Sequence, residues 1–376
     1  METVKLDAVL WRCLKVQGLL EPFDSVEPAV TGSAGIYGAA PTAYLSLAAR
    51  VKDFTAAMLD AALFDRRSLV RIPAMRGSIY LLPPELVPEG IVLAATGEIL
   101  PMLHRAGITD AAYGGLVSAI ESLLREEPKT AAQIRDGLTT FRERVPGTLG
   151  MVLRQMSHDG RIVRGRVHGG WQSQQWEYAL MKDCVRLPSR MPTQVQALQR
   201  LAPLYFQAHG PATVADFAWW AGVSEITAKS ALERLELPHV FLDKVRGIYL
   251  ATKESLDEIA TAPKKWERLT LLPYWDAYLM AHADRRRYLD AKWEDRVVDK
   301  SGNVTNVILR DGQVGGLWDA VGSQLRFAPF ATMRAQGVRD AAAPFSGLFR
   351  ITETLEKRVA GPLSERGQNA FQAPLA

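Results

Sequence analysis

The chain has 376 residues, 48% hydrophobic and 23% charged, with a formal net charge of +4. That composition excludes a chain dominated by disorder, and the length provides for about two to three domains with ample buried core. The small basic excess permits a polyanionic partner without demanding one, so the placement of the basic residues decides.

Only Cys13 and Cys184 occur, without a C-x-x-C spacing. This argues against a disulfide framework or a cysteine zinc site, and makes a reducing cytoplasm the expected location. The six histidines contain no H-x-x-x-H pair, so neither a metal nor a cofactor is expected. METVKLDAVLWRCLKVQGLL reads as an amphipathic helix and not as a signal peptide, because charges interrupt each apolar core. No apolar run approaches the ~18 residues that span a bilayer, so no membrane association is expected.

In chain order, helices are expected near 5–19, 24–33, 41–51 and 55–65, followed by SLVRIPAMRGSIYLL as a β wing in which Pro73 takes a turn or a sheet edge. A lead helix near 109–126 carries Ala111, Leu116, Ile120 and Leu123 at roughly helical spacing. TAAQIRDGL and GTLGMVLRQMSHDG then form a helix pair. In the second helix Leu149, Val152, Leu153 and Met156 recur at i, i+3, i+4 and i+7, which leaves Arg154, Gln155 and His158 on the outer face. An outward polar face suits a DNA groove. The basic hairpin RIVRGRVHGGWQSQQWEYAL follows, with Arg161 and Ile162 on opposite sides, a turn at Gly169-Gly170 and an aromatic return strand.

A third helix pair spans VQALQRLAPLYFQAHG and PATVADFAWWAG. Ser224 N-caps the next helix, with the capping box incomplete because Thr227 occupies the glutamate or glutamine place. HVFLDKVRGIYLATK supplies the third wing, turning near Gly247. Proline-containing breaks near 187–192 and 261–264 are the expected joints. Beyond them the Asp311-Gly312 pair between two apolar runs signals a hairpin. Helical spacing through Leu348, Ile351, Leu355 and Val359 predicts a terminal helix. The expected architecture is α+β, with three tandem winged-helix units at 1–98, 99–190 and 191–264. A small, mainly β domain with a terminal helix then occupies 265–376.

The basic residues cluster in the wings. Arg161, Arg164, Arg166 and His168 form the densest group, and a period of two puts Arg164, Arg166 and His168 on one face, suited to phosphate contact. Their bland reading is a solvated strand face. Arg285, Arg286 and Arg287 with Lys292 form a second cluster, in which pairing with Asp284 or Asp290 is the competing role. Arg66, Arg67, Arg71 and Arg76 form a third, in which Arg66 and Arg67 read as helix-terminal charges. Trp219 and Trp220, beside Phe217 on a short helix, read as core rather than as base-stacking groups. Val314-Gly315-Gly316 lacks the spacing of a phosphate loop, and no G-x-S-x-G nucleophile motif occurs.

Three segments, DFAWWAG, MRGSIYLL and LLPYWDAYLMAHADRRRYLD, resemble in order and spacing the bacterial AlkZ-like winged-helix DNA glycosylases, over nearly the whole chain. The resemblance implies tandem winged helices with a C-terminal β-barrel-like domain, arranged as a concave surface for double-stranded DNA; a monomer is expected. It also implies excision of bulky alkylated purines and unhooking of interstrand crosslinks. The family's Gln-x-Gln or Gln-x-Asp motif precedes an alanine-rich helix resembling PTAYLSLAARV; here Tyr37 and Ala39 occupy the two polar positions. In the family's R-G-T-x-H wing, Arg76, Gly77 and Ser78 keep the pattern and Tyr80 replaces the histidine. Asp276, between Tyr274, Trp275 and Tyr278, resembles a family position; its bland role is a structural hydrogen bond or salt bridge.

The departure at Tyr37 and Ala39 bears on chemistry. Hydrolysis of an N-glycosidic bond requires a polarised water beside the anomeric carbon and stabilisation of developing positive charge. A carboxamide or carboxylate accepts a hydrogen bond from that water; a methyl group cannot. Losing such a group costs about two to four powers of ten. The expectation is a DNA-binding protein with altered or lost base excision. The alternatives are an active glycosylase in which another residue positions water, and a non-catalytic winged-helix regulator.

Overall fold

The computed structural model describes residues 2–95, 99–141, 147–358 and 361–363. The helix Leu6–Val16 buries Leu6, Val9, Leu10, Cys13 and Leu14, the i, i+3, i+4, i+7, i+8 stripe of an amphipathic helix. Before it runs a strand, β1 (Glu2–Val4), which periodicity over three residues does not reveal.

Three three-stranded sheets follow the helices along the chain. The first has the order β2-β4-β3, with β2 (Ile36–Tyr37), β3 (Val70–Pro73) and β4 (Ile79–Leu82). Pro73 therefore sits on an edge strand, where its missing N–H removes no ladder bond. The second sheet, β5-β7-β6, joins β5 (Lys129–Thr130), β6 (Ile162–His168) and β7 (Gln175–Leu180). The third, β1-β8-β9, places β1 in parallel beside β8 (His239–Leu242), with β9 (Tyr249–Leu250) at the other side.

The helices of these units start on threonine or serine caps. Thr130, Thr193 and Thr213 close full capping boxes with Gln133, Gln196 and Asp216. Ser224 caps Glu225–Leu232 through the Thr227 N–H, and the Thr227 hydroxyl lies 2.9 Å from its own. In the helix Leu149–His158, Val152, Leu153 and Met156 are buried as their spacing requires. His158 departs from the expected outer face: it is buried and its Nδ1 lies 2.7 Å from the Ala94 carbonyl. The first unit covers this face at His158, while Arg154 on it remains exposed.

The C-terminal region corrects two expectations. Its strands β10 (Leu269–Leu272), β11 (Val307–Arg310), β12 (Gln313–Val321), β13 (Gln324–Pro329) and β14 (Glu353–Glu356) pair in sequence order, and β10 does not pair with β14. The sheet is open and not a barrel. The helix Ala335–Ala341 touches both edge strands in place of direct closure. The expected terminal helix is replaced by a short 3-10 turn at Ala343–Gly347 and by β14, which pairs in parallel with β13. The free edge of β13 offers backbone partners, and β-branched Thr352 and Thr354 favour extended chain over helix. Val359 lies outside the described residues. The Asp311-Gly312 hairpin forms as expected, with φ of 55° and 78° at the two positions, the signs a two-residue type I′ turn needs.

A buried polar network ties these parts together. Arg50 and Asp276 have no side-chain exposure and meet through two hydrogen bonds of 2.7 and 2.8 Å, with the Ser46 hydroxyl donating to the same carboxylate at 2.7 Å. Arg50 also donates to Gln17 Oε1 at 3.0 Å, and Gln17 Nε2 stands 3.2 Å from His209 Nδ1. His209 Nδ1 therefore accepts, and Nε2 donates to the Ser33 carbonyl at 3.1 Å. Arg287 donates to the Pro211 carbonyl and to His282 Nε2, both at 2.7 Å.

Candidate nucleic-acid interface

Tyr37 is set by the pairing of β2 with β4, which makes it the cross-strand partner of Tyr80. The two rings meet edge to face at 6.5 Å, while Ile36 on the other face is buried. Gly38 allows this approach: a Cβ there would lie 3.0 Å from the Tyr80 carbonyl carbon. Trp275 stands edge-on to Tyr37 at 4.9 Å, and Tyr274 lies 5.0 Å from Trp275. Burial raises the Tyr37 phenol well above its usual range, and the groups that act on it electrostatically are Tyr274, Arg164 and Tyr80. None is a carboxylate. Ala39 follows, half-buried, and its carbonyl begins the hydrogen bonding of the helix Thr42–Ala48.

Asp276 adjoins this aromatic group in sequence but points into the core, where Arg50 and Ser46 occupy it. It takes the structural role. Tyr80 is itself buried, and its phenol is pushed up to about 12 by burial, against the pull of Arg76. Tyr80 thus backs the surface and does not present a donor to solvent. Ser78 is half-exposed beside it.

Arg76 leads outward from Tyr80. Its backbone is left-handed, with φ of 57°, and its guanidinium carbon lies 4.0 Å from the centre of the Trp219 ring. Gly222, with φ of 77°, accommodates this turn: a Cβ would stand 2.9 Å from the Arg76 backbone. Arg285 approaches the same indole at 5.3 Å. Trp220 is buried as expected, whereas Trp219 is only partly buried and carries two cations.

The other arginines divide sharply. Arg287 is 3% exposed and held by core groups, which corrects its assignment as a DNA contact. Arg286 is chelated by Asp284 at 2.9 and 2.5 Å. Lys292 pairs with Asp290. Arg66 pairs with Glu27, Arg67 donates to the Asp183 carbonyl, and buried Arg71 donates to the Gly165 carbonyl. Arg161 pairs with Glu121 at 2.9 Å.

The second wing differs from its expected pattern. A bulge between Arg164 and Val167 shifts the register of β6 against β7, so Arg164 pairs with Tyr178 and Val167 with Trp176. One extra residue reverses the alternation, and His168 falls on the face opposite Arg164. Arg164 lies over Trp176 at 4.4 Å, Arg166 over Phe64 at 4.5 Å, and His168 pairs with Glu177 at 2.8 Å. The tip does not stand free: Trp171 lies 6.4 Å from Tyr44 and stacks on Phe349 at 6.1 Å.

What remains is a strip running from Arg285 through Trp219, Arg76, Tyr80 and Tyr37 to Trp275, with Arg164 beside Tyr37. Guanidinium groups adjoin aromatic rings along it, with buried Tyr80 behind the surface, a combination that serves nucleic-acid backbones and bases. Among the described residues no cluster of three or more histidine, cysteine, aspartate or glutamate side chains is placed to hold a metal ion.

Comparison with known proteins bears on the family and the fold. The family model "DNA glycosylase AlkZ-like" matches residues 32–348. An interstrand DNA cross-link repair glycosylase of Streptomyces sahachiroi is 27% identical over 287 residues, which are 70% of this chain and 73% of that protein. The solved structure of the DNA glycosylase AlkZ from Streptomyces sahachiroi superposes with a TM-score of 0.78, at 21% identity, covering 94% of this chain and 100% of the other.

Proposed function

The chain belongs to the family of AlkZ-like DNA glycosylases, and from that premise we propose that it binds double-stranded DNA carrying alkylated or crosslinked bases, with base-excision chemistry altered at Tyr37 and Ala39. The three helix-and-sheet units act as winged-helix modules, and the aromatic and guanidinium strip is the surface that meets DNA. Arg76, Arg164 and Arg285 are the phosphate-facing cations. Arg286 and Arg287 are withdrawn from that role by Asp284 and by the core.

One observation carries the chemical part: the groups acting on the phenol of Tyr37, at the position where the resemblance implies a polar water-binding side chain, are two tyrosines and an arginine. A phenol raised above its usual range is a poor base near neutral pH. Asp276, the carboxylate adjacent in sequence, has its oxygens committed to Arg50 and Ser46. An arginine beside the reacting sugar would also oppose the positive charge that develops there.

The test is incubation with a duplex bearing a bulky N7-alkylguanine, read out as abasic sites after alkaline cleavage. Binding without release above spontaneous depurination is expected. Tyr37→Gln combined with Ala39→Gln should raise release. Robust release by the unaltered protein overturns the altered-chemistry reading.

A further inference from the structure

Arg76 and Arg285 are brought onto one indole from parts of the chain far apart in sequence, and no carboxylate accompanies them. Arg76 forms no ion pair among the described residues; the groups acting on it electrostatically are Tyr80 and Arg285. Burial and the charge of Arg285 both disfavour its protonated form. Arg285 spends one nitrogen on the Gly302 carbonyl at 2.7 Å and interacts with the Tyr288 hydroxyl. The nearby acids are already engaged. Asp284 chelates Arg286, and Asp216 accepts from the Ala283 and Asp284 N–H groups and from Thr213.

Two like charges held together, partly desolvated and without a counter-charge, are costly unless an anion completes the site. The indole contributes through its face, which attracts cations without consuming their N–H donors. Those donors, in planar forks, match phosphate oxygens. The Gly222 approach locks the left-handed turn that aims Arg76. Resting on the DNA-binding reading above, we propose that Arg76 and Arg285, stacked on Trp219, form a clamp for the backbone phosphates of DNA, with Trp219 the positioning residue.

The experiment measures duplex affinity by fluorescence anisotropy across a salt series, for the full chain and for Arg76→Gln, Arg285→Gln, Trp219→Leu and Trp219→Phe. Each arginine substitution should weaken binding on the order of tenfold and reduce the slope of log affinity against log salt by about 1. Trp219→Leu should weaken binding about threefold and shrink the effect of Arg76→Gln made on top of it, whereas Trp219→Phe, which keeps an aromatic face, should restore most of the loss. Arg286→Gln should match the unaltered protein.

If the unaltered protein binds DNA and both arginine variants keep its affinity and slope, the clamp is overturned while the DNA-binding reading stands. If the arginine variants are weakened but Trp219→Leu is additive with Arg76→Gln, Trp219 loses its positioning role. If the unaltered protein does not bind duplex, inorganic pyrophosphate is added to a thermal unfolding series. A rise in midpoint that Arg76→Gln and Arg285→Gln abolish supports an anion clamp without DNA; no rise overturns both.

Discussion

Arg50 and Arg76 carry the same charge and differ in everything around it. Arg50 is sealed in the core, with Asp276, the Ser46 carbonyl and Gln17 taking the donors of both terminal nitrogens and Nε left without a partner. Arg76 is half-exposed, lies on an indole, and has another cation as its charged neighbour. A buried charge persists when a close counter-charge compensates it, as Asp276 does here through two hydrogen bonds, so the first arrangement is structural. An accessible cation left without an acid beside it is a different signature, one that functional surfaces carry. The contrast teaches that arginine count is a poor guide to a DNA face and that the missing partner is the better one.

The largest effect should come from breaking the paired side of this comparison. Asp276→Ala leaves Arg50 buried without its counter-charge and should cost about 3–5 kcal/mol in urea unfolding. A loss under about 1 kcal/mol would mean that Gln17 and the Ser46 carbonyl satisfy Arg50 alone, and the distinction between the two regions would weaken.

Acid should act on the same network. Burial, foremost, lowers His209 to about 3 and His282 well below its ordinary value, with the charge of Arg287 assisting in both. Both are neutral when folded, and a histidine released by unfolding takes up a proton below its usual pKa of about 6.5. The unfolded chain thus binds more protons, and stability present above pH ~6.5 is lost as pH falls toward the folded values, at up to about 1.4 kcal/mol per pH unit for each histidine. Urea midpoints between pH 7.5 and 4.5 measure this. A flat profile would show that the network admits a protonated imidazole.

Local signals in the chain were legible where local geometry decides. Asp311-Gly312 dictates its hairpin because both turn positions need positive φ, and Thr or Ser caps mark helix starts because their oxygens meet free N–H groups. Alternation in β6 was not legible, since a single inserted residue reverses it; Gly165 inside the strand pattern is the one local signal of such a bulge. The Leu348–Leu355 spacing was equally consistent with a helix, and the open edge of β13 decided against it. Within RRR, three neighbours receive three fates: Arg285 on Trp219, Arg286 on Asp284 and Arg287 in the core. Those fates depend on partners distant in sequence. Trp219 escaped for the same reason, since only Arg76 and Arg285, placed by other segments, reveal its exposed face.

The smallest expected effect is the sharpest on chemistry. Tyr37→Phe removes one hydroxyl and keeps the ring against Tyr80 and Trp275. No hydrogen bond of that hydroxyl anchors the fold among the described residues, so stability should shift by less than about 1 kcal/mol. Duplex affinity should be unchanged, because the proposed phosphate contacts are Arg76, Arg164 and Arg285. If Tyr37 only packs, residual abasic-site formation on an N7-alkylguanine duplex is also unchanged. A fall in residual release with affinity intact would mean that the phenol orients a water despite its raised pKa. Tyr37 would then belong with Arg76, among the groups whose purpose lies outside the fold.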